Sequence, residues 1–238
     1  MTHACIVPGS CSRAGALATP GRRSSVGGLV LAAIVGASPG LPAPASAQAP
    51  LPERSTTTLA RAAAARSTAR HAARFDAIFA KYSKRYFGVG FDWRRFKAQA
   101  MAESNLDSTA TSVVGARGLM QLMPSTFAAI QSRRPDFGEI DDPEWNVAAG
   151  IMHDRYLWKL WAPVVPDTDR FAFMFGSYNA GEGPIRRASA AASARRLEPD
   201  RWTSIEAVAP AVPRWRYRET LGYVRRIDAN FRRLTRQE

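Results

Sequence analysis

From Phe75 to the C-terminal end, the apolar residues of this chain recur at spacings of three and four, and nowhere do they alternate with polar ones over the length of a strand. A period near 3.6 gathers such residues on one side of a helix, whereas a half-buried strand needs a period of two. The pattern therefore predicts a mainly α domain over residues 71–238. Phe75, Ile78, Phe79, Tyr82 and Tyr86 form its first apolar face, closed by "FGVG" at 87–90. Asp92 predicts an N-cap, with Phe91 and Phe96 stapled across it. The helix it opens carries Trp93, Phe96 and Ala100 on one stripe, and the next residue of that stripe is Glu103. A Ser-, Thr- and Gly-rich loop follows over 104–118. Further helices are predicted from Pro124 to Gln131 and from Asp142-Pro143 to about Trp161, where aspartate caps and proline takes the first position. Phe171, Phe175 and Tyr178 line another, ended by "NAGEG" with Gly181 as a left-handed cap. A helix from Pro184, a short one after Trp202 and a last one over roughly 215–234 complete the domain.

The segment before it has a different character. Arg13, Arg22 and Arg23 precede the apolar run "VGGLVLAAIVGA" (26–37), and Ala45 and Ala47 in "ASAQ" make a small-x-small cleavage pattern. Twelve residues are too few for a spanning helix. Residues 1–47 are thus expected to be an export signal, and 48–70 an Ala-, Arg- and Pro-rich linker or tail. Both cysteines, Cys5 and Cys11, lie in the leader. The product would carry no disulfide, no thiol nucleophile and no membrane span, and would be periplasmic or wall-associated. The whole chain has a net charge of +13, and the leader accounts for three arginines and no acid, leaving +10. Such a charge attracts nucleic acid, anionic headgroups or an acidic wall polymer, and export argues against the first.

Four short stretches carry potential chemistry. Glu103 is either a shielded carboxyl with a raised pKa, as a general acid requires, or a solvated helix-end glutamate paired with Arg117. In "GARGLMQLMP" (115–124), Gly115 and Gly118 permit close approach, and Gln121 is an amide amid methionines. That mix suits a pocket for an N-acetylated sugar, or a tight turn whose amide bonds to backbone. "SYNAG" (177–181) places Tyr178 and Asn179 at a helix end, and Tyr223 in "ETLGYV" falls by default in the core. Asn146 and Gly150, four apart, read as a loop brace and a helix contact. His153 is isolated, so no histidine cluster marks a metal site, and no glycine-rich phosphate loop or G-x-S-x-G elbow occurs.

Taken in order, "ES" (103–104), "SVVGARGLMQLMP" (112–124), "DPEWNVAAG" (142–150), "SYNAG" (177–181) and "ETLGYV" (219–224) resemble the catalytic domain of the soluble lytic murein transglycosylases, relatives of goose-type lysozyme. Ser177 stands where that family more often has alanine. The resemblance implies a single α+β lysozyme-like domain with a substrate cleft and no cofactor. It implies cleavage of the β-1,4 bond between N-acetylmuramic acid and N-acetylglucosamine, with peptidoglycan strands as the partner and cell-envelope or secretion machinery as a further partner class. By the same transfer, Glu103 is the sole catalytic acid and base. Ser104, Ser112, Gly118, Met120, Gln121, Tyr178, Asn179 and Tyr223 would line the cleft, with Gln121 facing glycan. The competing readings are a hydrolytic muramidase and a non-catalytic wall-binding or secretion-apparatus protein.

Overall fold

The structure, a computed structural model, describes residues 73–236, so the expected leader (1–47) and linker (48–70) lie outside the described residues. Its first helix, α1 (Asp76–Phe87), turns Phe79 and Tyr82 inward at 0% and 1% exposure, as the spacing predicts. Gly88 ends it at φ 99°. Helix α2 spans Arg94–Glu103. The Asp92 side chain accepts from the Arg94 N–H at 3.0 Å, and the Phe91 and Phe96 rings stack at 5.8 Å, so cap and staple form. The regular helix begins at Arg94, and Trp93, between it and the aspartate, already has helical dihedrals.

Helix α3 is Pro124–Gln131 and α4 is Pro143–Trp161, both as predicted. At the start of α4, Asp142 accepts from the N–H groups of Glu144 (2.8 Å) and Trp145 (3.3 Å). Helix α5 runs Asp167–Ala180 and α6 runs Glu182–Ala194. Two expectations need correction here. The sixth helix starts at Glu182, not Pro184. The proline sits inside its first turn, where N–H groups lack helical acceptors anyway and its absence costs nothing. Gly181 has φ 78° but ψ 163°, so it is not a left-handed cap but a one-residue joint between two helices. Helix α7 (Trp202–Val208), a 3-10 turn (Ala209–Ala211) and α8 (Tyr217–Thr235) follow, the last beginning two residues later than expected.

Helices α2 and α8 pack on each other, while α4 lies against α1 and α5, and α5 also meets α6 and α8. The core runs through α4, where Val147, Ala148, Ala149 and Ile151 are fully buried. Each large apolar side chain so placed contributes about 1.5–3 kcal/mol relative to exposure. Lys97 of α2, only 6% exposed, meets Asp76 of α1 at 2.5 Å and ties those helices together. Among the described residues there is no sheet. The β component reduces to two isolated bridges, Thr111 with Arg117 and Arg117 with Leu122. No helix among the described residues is long and apolar enough to cross a membrane.

Gly150 gives a direct test of this packing. A β-carbon there would lie 2.7 Å from Met120 Cγ and 2.8 Å from Met120 Cβ, the near end of that side chain, so the loop backbone itself would have to move. Gly150→Ala should destabilise the domain by about 1–3 kcal/mol, despite alanine's better helix propensity. Denaturant unfolding checks it, and a stabilised variant would mean the α4 contact is loose.

Candidate active site

Glu103 is the last residue of α2. It continues the face on which Phe96 and Ala100 are fully buried, and so its carboxyl enters the seam between α2 and α8. Burial raises its pKa from 4.5 to about 7, against the opposing pull of a hydrogen bond from Tyr223 and the charge of Arg226, while Glu219 pushes it further up. The Tyr223 hydroxyl, on a residue 1% exposed, donates to Glu103 Oε1 at 2.5 Å. Near neutral pH this group holds its proton about half the time, and it can give a proton and take one back. The alternative pairing with Arg117 does not form, because Arg117 meets Asp141.

The loop beyond Glu103 is fixed by side chains from three helices. The Ser104 hydroxyl donates to Leu119 O at 2.9 Å, joining the end of α2 to the 117–122 turn. Asn146 of α4 does most of the bracing. Its Nδ2 donates to Arg117 O and Ile140 O, each at 2.9 Å, and its Oδ1 accepts from the Met120 N–H at 2.8 Å. Gly118, at φ 75°, lies so close that a β-carbon would fall 2.6 Å from Asn146 Cγ. From α5, the Tyr178 hydroxyl donates to Met120 O at 2.9 Å. Burial, helped by the charges of Asp154 and Glu103, raises the Tyr178 pKa, so the phenol stays a donor.

Most of the residues singled out from sequence converge here. Tyr223 touches Glu103, while Ser104 and Tyr178 grip the turn that holds Gly118, Met120 and Gln121. Ser112 lies further out, where its hydroxyl accepts from the Ala116 N–H at 2.9 Å and shapes the tip of the loop. Asn179, at the end of α5, is half-buried, and its side chain makes no hydrogen bond to a described residue. Two placements change the expectation. The Met120 side chain is fully buried against Gly150, so Met120 meets the site through its backbone rather than as apolar lining. Gln121, at φ 45°, directs Nε2 to Ala110 O and Gly118 O, each at 3.1 Å, so its donors serve the loop and only its oxygen is left to face outward.

Sequence reasoning missed the polar layer behind Glu103. Gln99 and Asp154 are both fully buried, and Gln99 Nε2 donates to Asp154 Oδ1 at 3.3 Å. Its only trace in the sequence is spacing, Gln99 one helical turn before Glu103 and Asp154 one turn after Gly150, and neither residue stands out from its own neighbours. Next to Asp154, the His153 ring lies 5.3 Å from that of Tyr178, and burial lowers its pKa to about 4, which keeps it neutral. Among the described residues no three His, Cys, Asp or Glu side chains converge as metal ligands would.

Glu103 leaves a mark on stability. The folded state holds its proton more tightly than the unfolded chain does, so the contribution of this one group to stability is full below pH 4.5 and is lost as pH rises through about 7. Above that window the ionised carboxylate costs on the order of 3 kcal/mol. Glu103→Gln should remove this loss, so that the variant gains stability relative to wild type between acid and alkaline pH. Equal pH dependence of the two in denaturant unfolding would show that the carboxyl is effectively solvated.

The transglycosylase SLT domain family matches residues 79–199. The chain is 32% identical over 160 residues to a membrane-bound lytic murein transglycosylase F of Desulfosudis oleivorans, covering 66% of this chain and 33% of that protein. It is 29% identical over 160 residues to a protein of the same name from Shewanella pealeana, covering 66% and 31%. The chain thus spans about a third of the length of the curated relatives it matches. The 70 kDa soluble lytic transglycosylase SLT70 of Escherichia coli superposes with a TM-score of 0.52 at 28% identity, over 68% of this chain and 24% of that one. The matched residues contain Glu103, the braced loop, α4 and Tyr178, and on this evidence the chain belongs to the transglycosylase SLT domain family.

Proposed function

We propose that the protein is an exported lytic transglycosylase. In this reading it cleaves the β-1,4 bond between N-acetylmuramic acid and N-acetylglucosamine in peptidoglycan and leaves a 1,6-anhydromuramic acid end. The observation that carries the proposal is the half-buried Glu103 carboxyl at the end of α2, which accepts from the Tyr223 hydroxyl at 2.5 Å and has its pKa raised to about 7 by desolvation. In the acid form it protonates the glycosidic oxygen while the sugar's own N-acetyl group supports the cationic carbon. As carboxylate it then removes the proton of the C6 hydroxyl, whose oxygen closes onto C1. Proton count and charge balance over the cycle, and no water enters.

The surrounding carboxyls favour this one-acid scheme. A water-using glycosidase needs a second carboxylate at about 5–5.5 Å or about 6.5–9.5 Å from the acid. Two acids lie within electrostatic reach of Glu103. Asp154 is fully buried, and Glu219 is paired with Arg216 at 3.1 Å. Asp107, four residues beyond Glu103, accepts from the Thr109 N–H at 2.8 Å as a turn former. Ser104, Ser112, Gly118, Gln121, Tyr178, Asn179 and Tyr223 shape the glycan cleft in this proposal. Met120 contributes the second lone pair of its carbonyl, its amide being held by Asn146, and Gln121 offers its oxygen. The basic chain and the leader over 1–47 fit an envelope enzyme drawn to anionic wall polymer.

Digested wall analysed by mass spectrometry tests the reading. The main muropeptides should be lighter by one water than hydrolytic products, and Glu103→Gln should abolish their release. Products with reducing ends would establish the hydrolytic alternative, with Glu219 the first acid to replace.

A further inference from the structure

Behind the site, two buried polar atoms stand without partners: Gln99 Oε1 and Asp154 Oδ2. They belong to the two side chains already joined by the bond from Gln99 Nε2 to Asp154 Oδ1. An ionised Asp154 would leave Oδ2 bare in a fully buried place and set its charge against the Gln99 carbonyl, which is unfavourable twice over. One proton on Asp154 Oδ2 removes both problems, because it can be donated to Gln99 Oε1. We propose that Asp154 is a positioning residue for Glu103: as a neutral acid it closes a two-hydrogen-bond ring with the Gln99 amide, and that ring locks the last turn of α2, hence the Glu103 carboxyl, against α4.

Gln99 and Glu103 lie one turn apart on α2, so anything that fixes the first orients the second. The charged or titratable groups facing Asp154 are Glu103 from α2, Tyr178 from α5 and Tyr223 from α8, with His153 beside it on α4. None is a cation at neutral pH that could hold Asp154 ionised. Burial raises the Asp154 carboxyl well above the usual carboxylate range, the Gln99 bond opposes this, and the Glu103 charge adds to it.

The inference rests on Glu103 as the acid, so its test includes a measurement independent of catalysis. In the Glu103→Gln background, infrared difference spectra at neutral pH between Asp154 and Asp154→Asn should show the stretch of a protonated carboxyl, and its absence would overturn the proposal. In the otherwise wild-type chain, Asp154→Asn can rebuild the ring as an amide pair and should keep kcat within about twofold, with the alkaline limb of its pH profile in place. Gln99→Met combined with Asp154→Leu leaves no orphan polar atom, so it should fold, yet kcat should fall about tenfold or more with little change in KM. An alkaline limb moved to lower pH by Asp154→Asn would mean that Asp154 acts by charge. Wild-type kcat in the double variant would mean that it positions nothing. Either result sinks the proposal, and retained lysis in Glu103→Gln would instead sink the assignment of the acid while leaving the infrared result to stand.

Discussion

The carboxyl of Glu103 is held where α2 packs on α8, and the neighbourhood is arranged around the cost of that placement. A carboxylate moved out of water loses solvation that one hydrogen bond and the charge of one arginine only partly restore. Here burial outweighs both the Tyr223 bond and the Arg226 charge, and the balance settles near neutrality. Had the tyrosine been joined by a close cation, the group would ionise fully and lose its use as an acid. With no donor at all, it would not readily ionise to accept a proton back. The resulting expense, about 3 kcal/mol above pH 7, is a large share of the 5–15 kcal/mol that a domain has in hand.

That expense is borne by a frame of helices rather than by the loop that closes the site. The Asp142 cap fixes the start of α4, and four residues later Asn146 projects into the loop and bonds three backbone groups. Each bond is worth about a kcal/mol, but leaving a buried partner bare costs up to threefold more. The loop therefore accepts positive φ at Gln121, Asn105 and Leu106, a strain that unsupported backbone would relax. Ser104 and Tyr178 add bonds from α2 and α5, so three helices define one turn.

Much of this was legible in the sequence for plain reasons. Periodicity exposes helices, and the Asp92 and Asp142 caps were readable because capping depends on residues adjacent in the chain. Glu103 stood out because a carboxyl interrupts an apolar stripe. The partners of the Gln121 donors were not legible, since whether an amide meets a ligand or a carbonyl depends on backbone brought near from Ala110, eleven residues away. The burial of the Met120 side chain was hidden for the same reason, as only the fold reveals Gly150 beneath it. The Gln99–Asp154 pair links residues 55 apart, and neither looks unusual beside its own neighbours. Short-range rules see caps, turns and faces, whereas the polar layer behind the acid exists only once α2 and α4 are packed.

The fold keeps a protonatable carboxyl at Glu103 near neutral pH. The most direct measurement is a carbon-13 NMR titration of the glutamate side-chain carboxyls, with Glu103 assigned by its disappearance in Glu103→Gln. The account predicts one glutamate titrating near pH 7, and moving higher in Tyr223→Phe as the bond that favours its charged form is removed. A Glu103 midpoint close to 4.5, unmoved by loss of the tyrosine hydroxyl, would contradict it.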